Sequence, residues 1–441
     1  MAFKVLFVAS ELTPLAKVGG LGDVIGSLPK ELGRQGVEVA VVIPRYEAIS
    51  KKHLTRLGIF LLPIGKSLET VTLYQTKLPK SSVKVFCLDN ERYLSRGPIY
   101  FDSSAFVGSF KEIQRFLFFS KAVYELLQEQ VFKYDIIHCQ DWHTGALAAL
   151  LKNRGCRTVF TVHNLANQGR WPAAAVDRWF GAGVFEPMGK HYNFMAEGIR
   201  QADLVTTVSP TYAKEILTKE YGEGLEKLLR QRAGRGELVG ILNGIDYDFW
   251  PRRSTASKAH HAAPVFSLVA RLTKQKGIDL ILPSIDRLVT RHNASFNFLG
   301  QGEIRLEKAL RLAARKHPRN VKAVIGFDER LAHRWYAEAD FFLMPSLFEP
   351  CGLGQMIAMR YGAIPIVRAT GGLSDSVIDG RTGIVFRSAS AAALAEALTR
   401  AAVLFEDKKR LAVMRGNCLK QDFSWRRAAG HYRTVYRRVA H

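Results

Sequence analysis

KVLFVASELTPLAKVGGLGDVIGSLPKELGRQ, residues 4–35, sets the architecture. Its opening run KVLFVA (4–9) is almost uniformly apolar, as a parallel strand covered on both faces must be. A glycine-rich loop follows. A helix predicted over residues 20–35 then returns the chain to a second apolar run, VEVAVVI (37–43). Strand, loop, helix, strand is a βαβ unit, and the alternation continues with strands predicted at 135–138, 158–162, 204–208 and 238–242. Around Trp250 the character changes: PRRSTASKAHHAAP (251–264) is small, polar and bracketed by prolines, as a linker is. A second series starts with a strand at 265–270 and a helix over 278–291. Strands follow near 295–299, 321–325, 340–344 and 363–367. The fold class is therefore α/β, with two doubly wound Rossmann-like domains. Ligands bind such sheets outside the carboxyl ends of the strands, so two loop-rich edges are expected to face across a cleft.

Length and composition agree. A chain of 441 residues exceeds one comfortable hydrophobic core, and 47% hydrophobic with 23% charged residues is ordinary for a globular protein. Cys87, Cys139, Cys156, Cys351 and Cys418 are scattered and form no C-x-x-C pair, which argues against a disulfide framework or zinc site and for a reducing cytoplasm. The apolar run 5–9 is too short for a signal region and is followed by Glu11. No run approaches the roughly 18 apolar residues of a membrane span, so a cytoplasmic protein without membrane contact is expected. The net charge of +23 raises nucleic acid as a partner, but the cations are spread along the chain, and the tightest clusters are the pairs Arg252-Arg253 and Arg437-Arg438. A generally basic surface is the simpler reading.

Six stretches carry chemistry. The first βα loop holds Lys17-Val18-Gly19-Gly20-Leu21-Gly22-Asp23, where a lysine and the Gly19 and Gly20 amides before a helix suit an anion. The same glycines would equally make a mere tight turn. The loop is neither G-x-G-x-x-G nor a Walker A sequence, so no NAD or ATP is read from it. Arg271 and Lys276, at the end of the second series' first strand, are placed to converge on a departing pyrophosphate; two solvated cations are the alternative. His163-Asn164 and Asp141-Trp142-His143 each follow an apolar strand, where they would bond sugar hydroxyls or serve only as satisfied strand ends. The most specific stretch is Phe348-Glu349-Pro350-Cys351-Gly352-Leu353-Gly354-Gln355-Met356: a carboxylate for sugar hydroxyls, backed by amides for phosphate. Gly371-Gly372-Leu373 offers a second amide nest.

In this order, and with Asn90-Glu91-Arg92-Tyr93, QDWH (140–143), TVSPTY (207–212) and ILNGID (241–246), these motifs closely resemble the bacterial glycogen synthase and plant starch synthase family (glycosyltransferase family 5). The resemblance runs from the first strand to about Trp425. It implies a GT-B fold and retaining transfer of glucose from ADP-glucose to the non-reducing 4-hydroxyl of an α-1,4-glucan such as glycogen or a maltooligosaccharide. It further implies that Glu349, His163, Arg271, Lys276 and Asp141 are catalytic. Lys17, Gly19, Gly20, Asn164, Asn243, Cys351, Gly352, Leu353, Gly372 and Leu373 would bind substrate. No cofactor and no metal are expected. The D-x-D triplet Asp246-Tyr247-Asp248, a metal motif in other glycosyltransferases, abuts the linker rather than a phosphate loop. The domains are expected at 1–250 (acceptor side) and 251–424 (nucleotide-sugar side). Whether 425–441 crosses back onto the first domain, as it often does in GT-B proteins, is left open.

Departures from the family pattern are Val18 for Thr, Asn167 for Tyr, Leu347 for Arg, Gly354 for Thr, Phe327 for Tyr, and a shortened segment after Trp250. None removes a charged residue of the set above; they bear on the choice of donor and acceptor. The rivals are a GT-B transferase using UDP-glucose or another acceptor, and a non-catalytic glucan-binding protein. Retention of Lys17, His163, Arg271, Lys276 and Glu349 together argues against the second.

Overall fold

A computed structural model describes residues 3–100, 110–152, 154–252 and 261–440. The chain divides into two compact units, 1–244 with 425–441, and 245–424. Most of the expected linker, 253–260, lies outside the described residues.

In the first unit the strands are β1 (Lys4–Val8), β2 (Glu38–Pro44), β3 (Thr55–Ile64), β4 (Ser67–Lys77), β5 (Lys84–Asp89), β6 (Ile136–Gln140), β7 (Arg157–Val162), β8 (Arg170–Pro172), β9 (His191–Asn193), β10 (Leu204–Thr207) and β11 (Leu238–Gly240). Apart from the small β8–β9 ribbon they form one sheet, ordered β11-β10-β7-β6-β1-β2-β5-β4-β3. Its core is parallel, and only β4 and β3 run antiparallel to their neighbours. β1 is central: Phe7 pairs with Val41 on one side and His138 on the other. Its residues after Lys4 are fully buried, which is why the run carries no polar alternation.

The terminal helix Trp425–Ala440 packs into this unit. Trp425, Ala428, Ala429, Tyr432, Val435, Tyr436 and Val439 form one helical stripe and join the core around β1, β2 and the helix Gly20–Arg34. Tyr436 Oη lies 2.8 Å from His138 Nδ1, and His138 Nε2 lies 2.6 Å from Thr161 Oγ1, so a polar chain ties this helix to β6 and β7.

The second unit contains β12 (Val265–Val269), β13 (Ser295–Gly300), β14 (Val321–Ile325), β15 (Phe341–Met344), β16 (Ile364–Arg368) and β17 (Ile384–Phe386), all parallel in the order β14-β13-β12-β15-β16-β17. Its first residues precede the boundary expected at 250. The N–H of Ile245 donates to Phe423 O (2.8 Å), and the N–H of Phe423 to Tyr247 Oη (2.8 Å). Trp250 stacks on His333 with centroids 4.3 Å apart. These contacts hold 245–250 on the second unit, so the break falls at Gly244.

Both sheets reverse direction at one point. Strands β2–β5 lie on one side of β1, and β6, β7, β10 and β11 on the other; in the second unit the reversal lies between β12 and β15. Loops leaving the carboxyl ends at such a switch point diverge and leave a crevice.

Candidate active site

In the first unit, the loop after β1 is organised by a residue that the sequence reading missed. Buried Glu11 accepts the N–H groups of Val18 and Gly19 through Oε2, both at 2.8 Å, and the Tyr100 hydroxyl through Oε1 at 2.7 Å. The Gly19 amide, expected on a phosphate, therefore already has an internal acceptor. Two glycines permit a close anionic approach, and the anion here belongs to the chain itself. Gly20 stays open, with no heavy atom within 4 Å of a Cβ built there. Lys17 Nζ rests 2.7 Å from Asp23 Oδ1 in the first turn of the helix, a partly exposed pair that is weak in water.

Asp141 follows β6 with φ +57° and ψ −179°, a region that side chains rarely occupy. Its Oδ1 accepts the N–H of His163 (2.8 Å), which bridges the ends of β6 and β7. Burial pushes its carboxyl up to about 7, against the opposing pull of the His163 and Asn164 backbone amides. His163 Nε2 lies 2.8 Å from Gln140 Oε1, while the Gln140 amide nitrogen faces His138 O. That orientation makes Nε2 the donor and leaves Nδ1 as an acceptor. Desolvation holds His163 at about 3, so the ring is neutral at physiological pH. Asn164 Oδ1 accepts the Ala166 N–H (3.0 Å) and shapes the loop. Asn243 is buried, and its Oδ1 meets no donor among the described residues.

His143 lies in an aromatic cluster with Trp142 (4.2 Å), Phe116 (4.5 Å) and Tyr100 (5.3 Å). Burial lowers it to about 3, from an ordinary value near 6.5. The unfolded chain thus binds the extra proton between those values, and the stability of the fold falls as pH drops below about 6.5. The full effect approaches about 1.4 kcal/mol per pH unit for the one site. The Tm of a His143→Phe variant is expected to decline less steeply than wild type between pH 6.5 and 4.5; parallel curves would contradict this.

In the second unit, the loops after β12 and β15 meet at the switch point. Lys276 Nζ donates to Glu349 Oε2 at 2.5 Å, with the two side chains 16% and 8% exposed. Ser346 Oγ donates to the same oxygen at 2.9 Å. Arg271 is exposed: its carbonyl accepts the Thr273 N–H (3.0 Å), but its guanidinium has no partner among the described residues. The two cations do not converge: one is held by Glu349, the other is unpaired.

The loop bearing Glu349 is clamped on both sides. Leu347 N–H donates to Gln275 O (2.7 Å), Gln275 Nε2 to Phe348 O (3.1 Å), and Arg368 Nε to Ser346 O (2.8 Å), with a second Arg368 nitrogen on Leu347 O. Gly277 (φ +65°) and Gly371 (φ +43°) let the flanking loops in: a Cβ would lie 2.1 Å from Pro345 O at the first and 2.0 Å from Glu349 O at the second. The second amide nest is also used internally. The Gly372 N–H donates to Glu349 O (3.1 Å), and the Leu373 N–H to Thr370 O (3.1 Å). The Gly372 amide thus braces Glu349 from behind, and the Leu373 amide closes its own helix turn. Gln355 Nε2 holds Cys351 O (3.2 Å) and Gly352 O (2.9 Å), which fixes the turn that leads through Leu353 into the next helix. At Gly354 a Cβ would sit 3.0–3.4 Å from Phe342, Met344 and Tyr336, so bulky neighbours occupy the room that a side chain there would need.

The D-x-D triplet serves its own turn: Asp246 Oδ1 accepts the N–H groups of Asp248 (2.9 Å) and Phe249 (3.2 Å). All five cysteines are free thiols. No helix among the described residues is long and apolar enough to cross a membrane.

Two Rossmann-like units, each with polar residues gathered at its switch point, define a glycosyltransferase of the GT-B fold. The starch synthase catalytic domain profile matches residues 4–231, and that of group 1 glycosyl transferases matches 263–402. The chain belongs to the glycogen synthase and starch synthase family. It is 39% identical to the glycogen synthase of Moorella thermoacetica, over 98% of this chain and 96% of that one. It is 36% identical to that of Lactobacillus acidophilus, over 98% and 99%. Among solved structures, the catalytic domain of starch synthase IV from Arabidopsis thaliana, bound to ADP and acarbose, superposes with a TM-score of 0.88 at 30% identity, covering 100% of both chains. The sucrose-phosphate synthase of Thermosynechococcus elongatus, 16% identical with a TM-score of 0.67 over 99% of this chain and 98% of that one, shares the fold.

Proposed function

We propose that this chain transfers glucose from ADP-glucose to the non-reducing 4-hydroxyl of an α-1,4-glucan, with retention at the anomeric carbon. The observation that carries the reading is the buried Lys276–Glu349 pair at the second unit's switch point, with Arg271 unpaired on the same loop as Lys276. Without donor, the pair neutralises itself. With donor, Glu349 turns to the glucose hydroxyls, and Lys276 joins Arg271 on the diphosphate. As the bond between the anomeric carbon and the phosphate oxygen breaks, negative charge gathers on the leaving group, where the two cations stabilise it. The Cys351–Leu353 turn supplies backbone polar groups nearby. Phe327, 80% exposed just beyond β14, offers a ring face for the base, and the ADP bound by the Arabidopsis relative supports an adenine donor. In the first unit, Asp141, His163, Asn164 and Asn243 supply groups for sugar hydroxyls, and Lys17 with Gly20 an anion-favouring helix start.

Cationic side chains take the part of a metal in this reading, and no cofactor is used. EDTA is expected to leave the rate unchanged; a loss restored by added divalent metal would contradict this. The five free cysteines favour a cytoplasmic location, and the dispersed positive charge no nucleic-acid partner. Initial rates with ADP-glucose and UDP-glucose on one maltooligosaccharide test the donor. ADP-glucose is expected to give the higher kcat/KM, and a reversed preference would assign the uridine donor.

A further inference from the structure

β3 is the outer strand of the first unit's sheet; its edge carries a register shift after Arg56 and a proline at 63, but between them it has none of the charges that usually guard an edge. Its sequence from Leu57 to Ile64, LGIFLLPI, contains no charged residue in a chain of net charge +23. Phe60, Leu62 and Ile64 face inward, whereas Leu57, Ile59, Leu61 and Pro63 are exposed. Leu57, Ile59 and Leu61, with Leu68 of β4, are 49%, 50%, 60% and 65% exposed. They form a contiguous apolar band, because Pro63 pairs with Leu68 and Leu61 with Thr70.

Among the described residues, no strand pairs with the outer side of β3. The β3–β4 hairpin closes over Gly65 and Lys66, with Ile64 opposite Ser67. In a two-residue hairpin the residues flanking the turn exchange hydrogen bonds. Ile64, Leu62 and Phe60 therefore bond to β4, and the peptide groups of Ile59, Leu61 and Pro63 point away from the sheet. Pro63 fits this phase, since its missing N–H falls on the outer side.

We propose that β3 pairs antiparallel with β3 of a second copy of this chain about a twofold axis, giving a dimer. With Ile59 opposite the partner's Leu61, the two N–H groups and two C=O groups of each copy are met by those of the other. Leu57 then lies beside the partner's Pro63, so the exposed bands join on one face. Two strongly cationic molecules repel at most surfaces, and this uncharged strand is where they approach at least electrostatic cost. The contact is isologous, so it closes at two copies and does not propagate.

Sedimentation-velocity centrifugation of the full chain from about 1 to 50 μM tests the proposal. Wild type is expected to sediment as a dimer, and Ile59→Lys as a monomer. Ile59→Thr keeps a β-branched residue on the strand, and is expected to weaken association at least tenfold without changing the unfolding temperature. Ile304→Lys, at an exposed apolar site in the second unit, is expected to leave the dimer intact. A wild-type monomer across the range would overturn the proposal, as would a dimer that survives both Ile59 substitutions.

Discussion

Glu349→Ala is expected to lower kcat by about a thousandfold or more, and to destabilise the second unit as well. The first effect follows from its place: it ends the loop at the switch point, held by Ser346 and Lys276 and braced from behind by Gly372. Loss of one preorganised polar contact to a reacting group typically costs about 10²–10³ in rate. Glu349 does more than one such contact, because it also places Lys276. The second effect follows from burial. Removing one member of a buried pair leaves the other charge unpaired, a loss of about 3 kcal/mol. For a unit of this size that corresponds to about 6–12 °C in Tm. Glu349→Gln keeps the volume and one acceptor, so its Tm should fall less while its kcat falls comparably. If Glu349→Ala turned over near the wild-type rate, the site would lie elsewhere.

Arg271→Ala is expected to lower kcat by about 10²–10³ with little change in KM for the donor, and with Tm unaltered within about 1 °C. The separation of rate from stability rests on one fact: its guanidinium is exposed and unpaired among the described residues, so its removal breaks no contact of the fold. The charge it faces appears as the glycosidic bond breaks, which places the loss in kcat. Arg271→Lys should recover part of the rate, since it restores a charge without the planar fork. Lys276→Ala should lose comparable activity but also stability, because it strands Glu349 in a buried position. A change confined to KM in Arg271→Ala would show that this residue binds the donor equally in ground and transition states.

The parallel strands could be read from the sequence because they are apolar throughout: β1, β2 and β12–β16 lie within one or two residues of their expected positions. The β3–β4 hairpin could not. LGIFLLPI is apolar on both its buried and exposed faces, so no period of two appears, and β4 mixes Thr, Glu, Tyr and Gln. In the site, the charged residues at strand ends were legible, whereas the groups that aim them were not. Glu11, Gln140, Gln275, Ser346 and Arg368 act through hydrogen bonds to loops, up to 73 residues away for Gln275 and Phe348. Arg368, a lone cation closing the apolar strand IPIVR, carried the same signal as Arg271 and could have been found by it. The glycine pairs were read as phosphate nests. Their pattern reports only that something approaches the backbone closely: at Gly19 it is the Glu11 carboxylate, and at Gly371 and Gly372 it is the Glu349 loop.

The most direct measurement of the transfer reaction incubates the purified chain with ADP-glucose and a defined maltooligosaccharide. Products and released ADP are followed together, with Glu349→Gln alongside. The expected result is a ladder of oligosaccharides each longer by one glucose, one ADP released per glucose added, and no ladder from the variant. No extension with ADP-glucose or UDP-glucose, in a protein that still binds the glucan, would contradict it and leave a glucan-binding protein in its place.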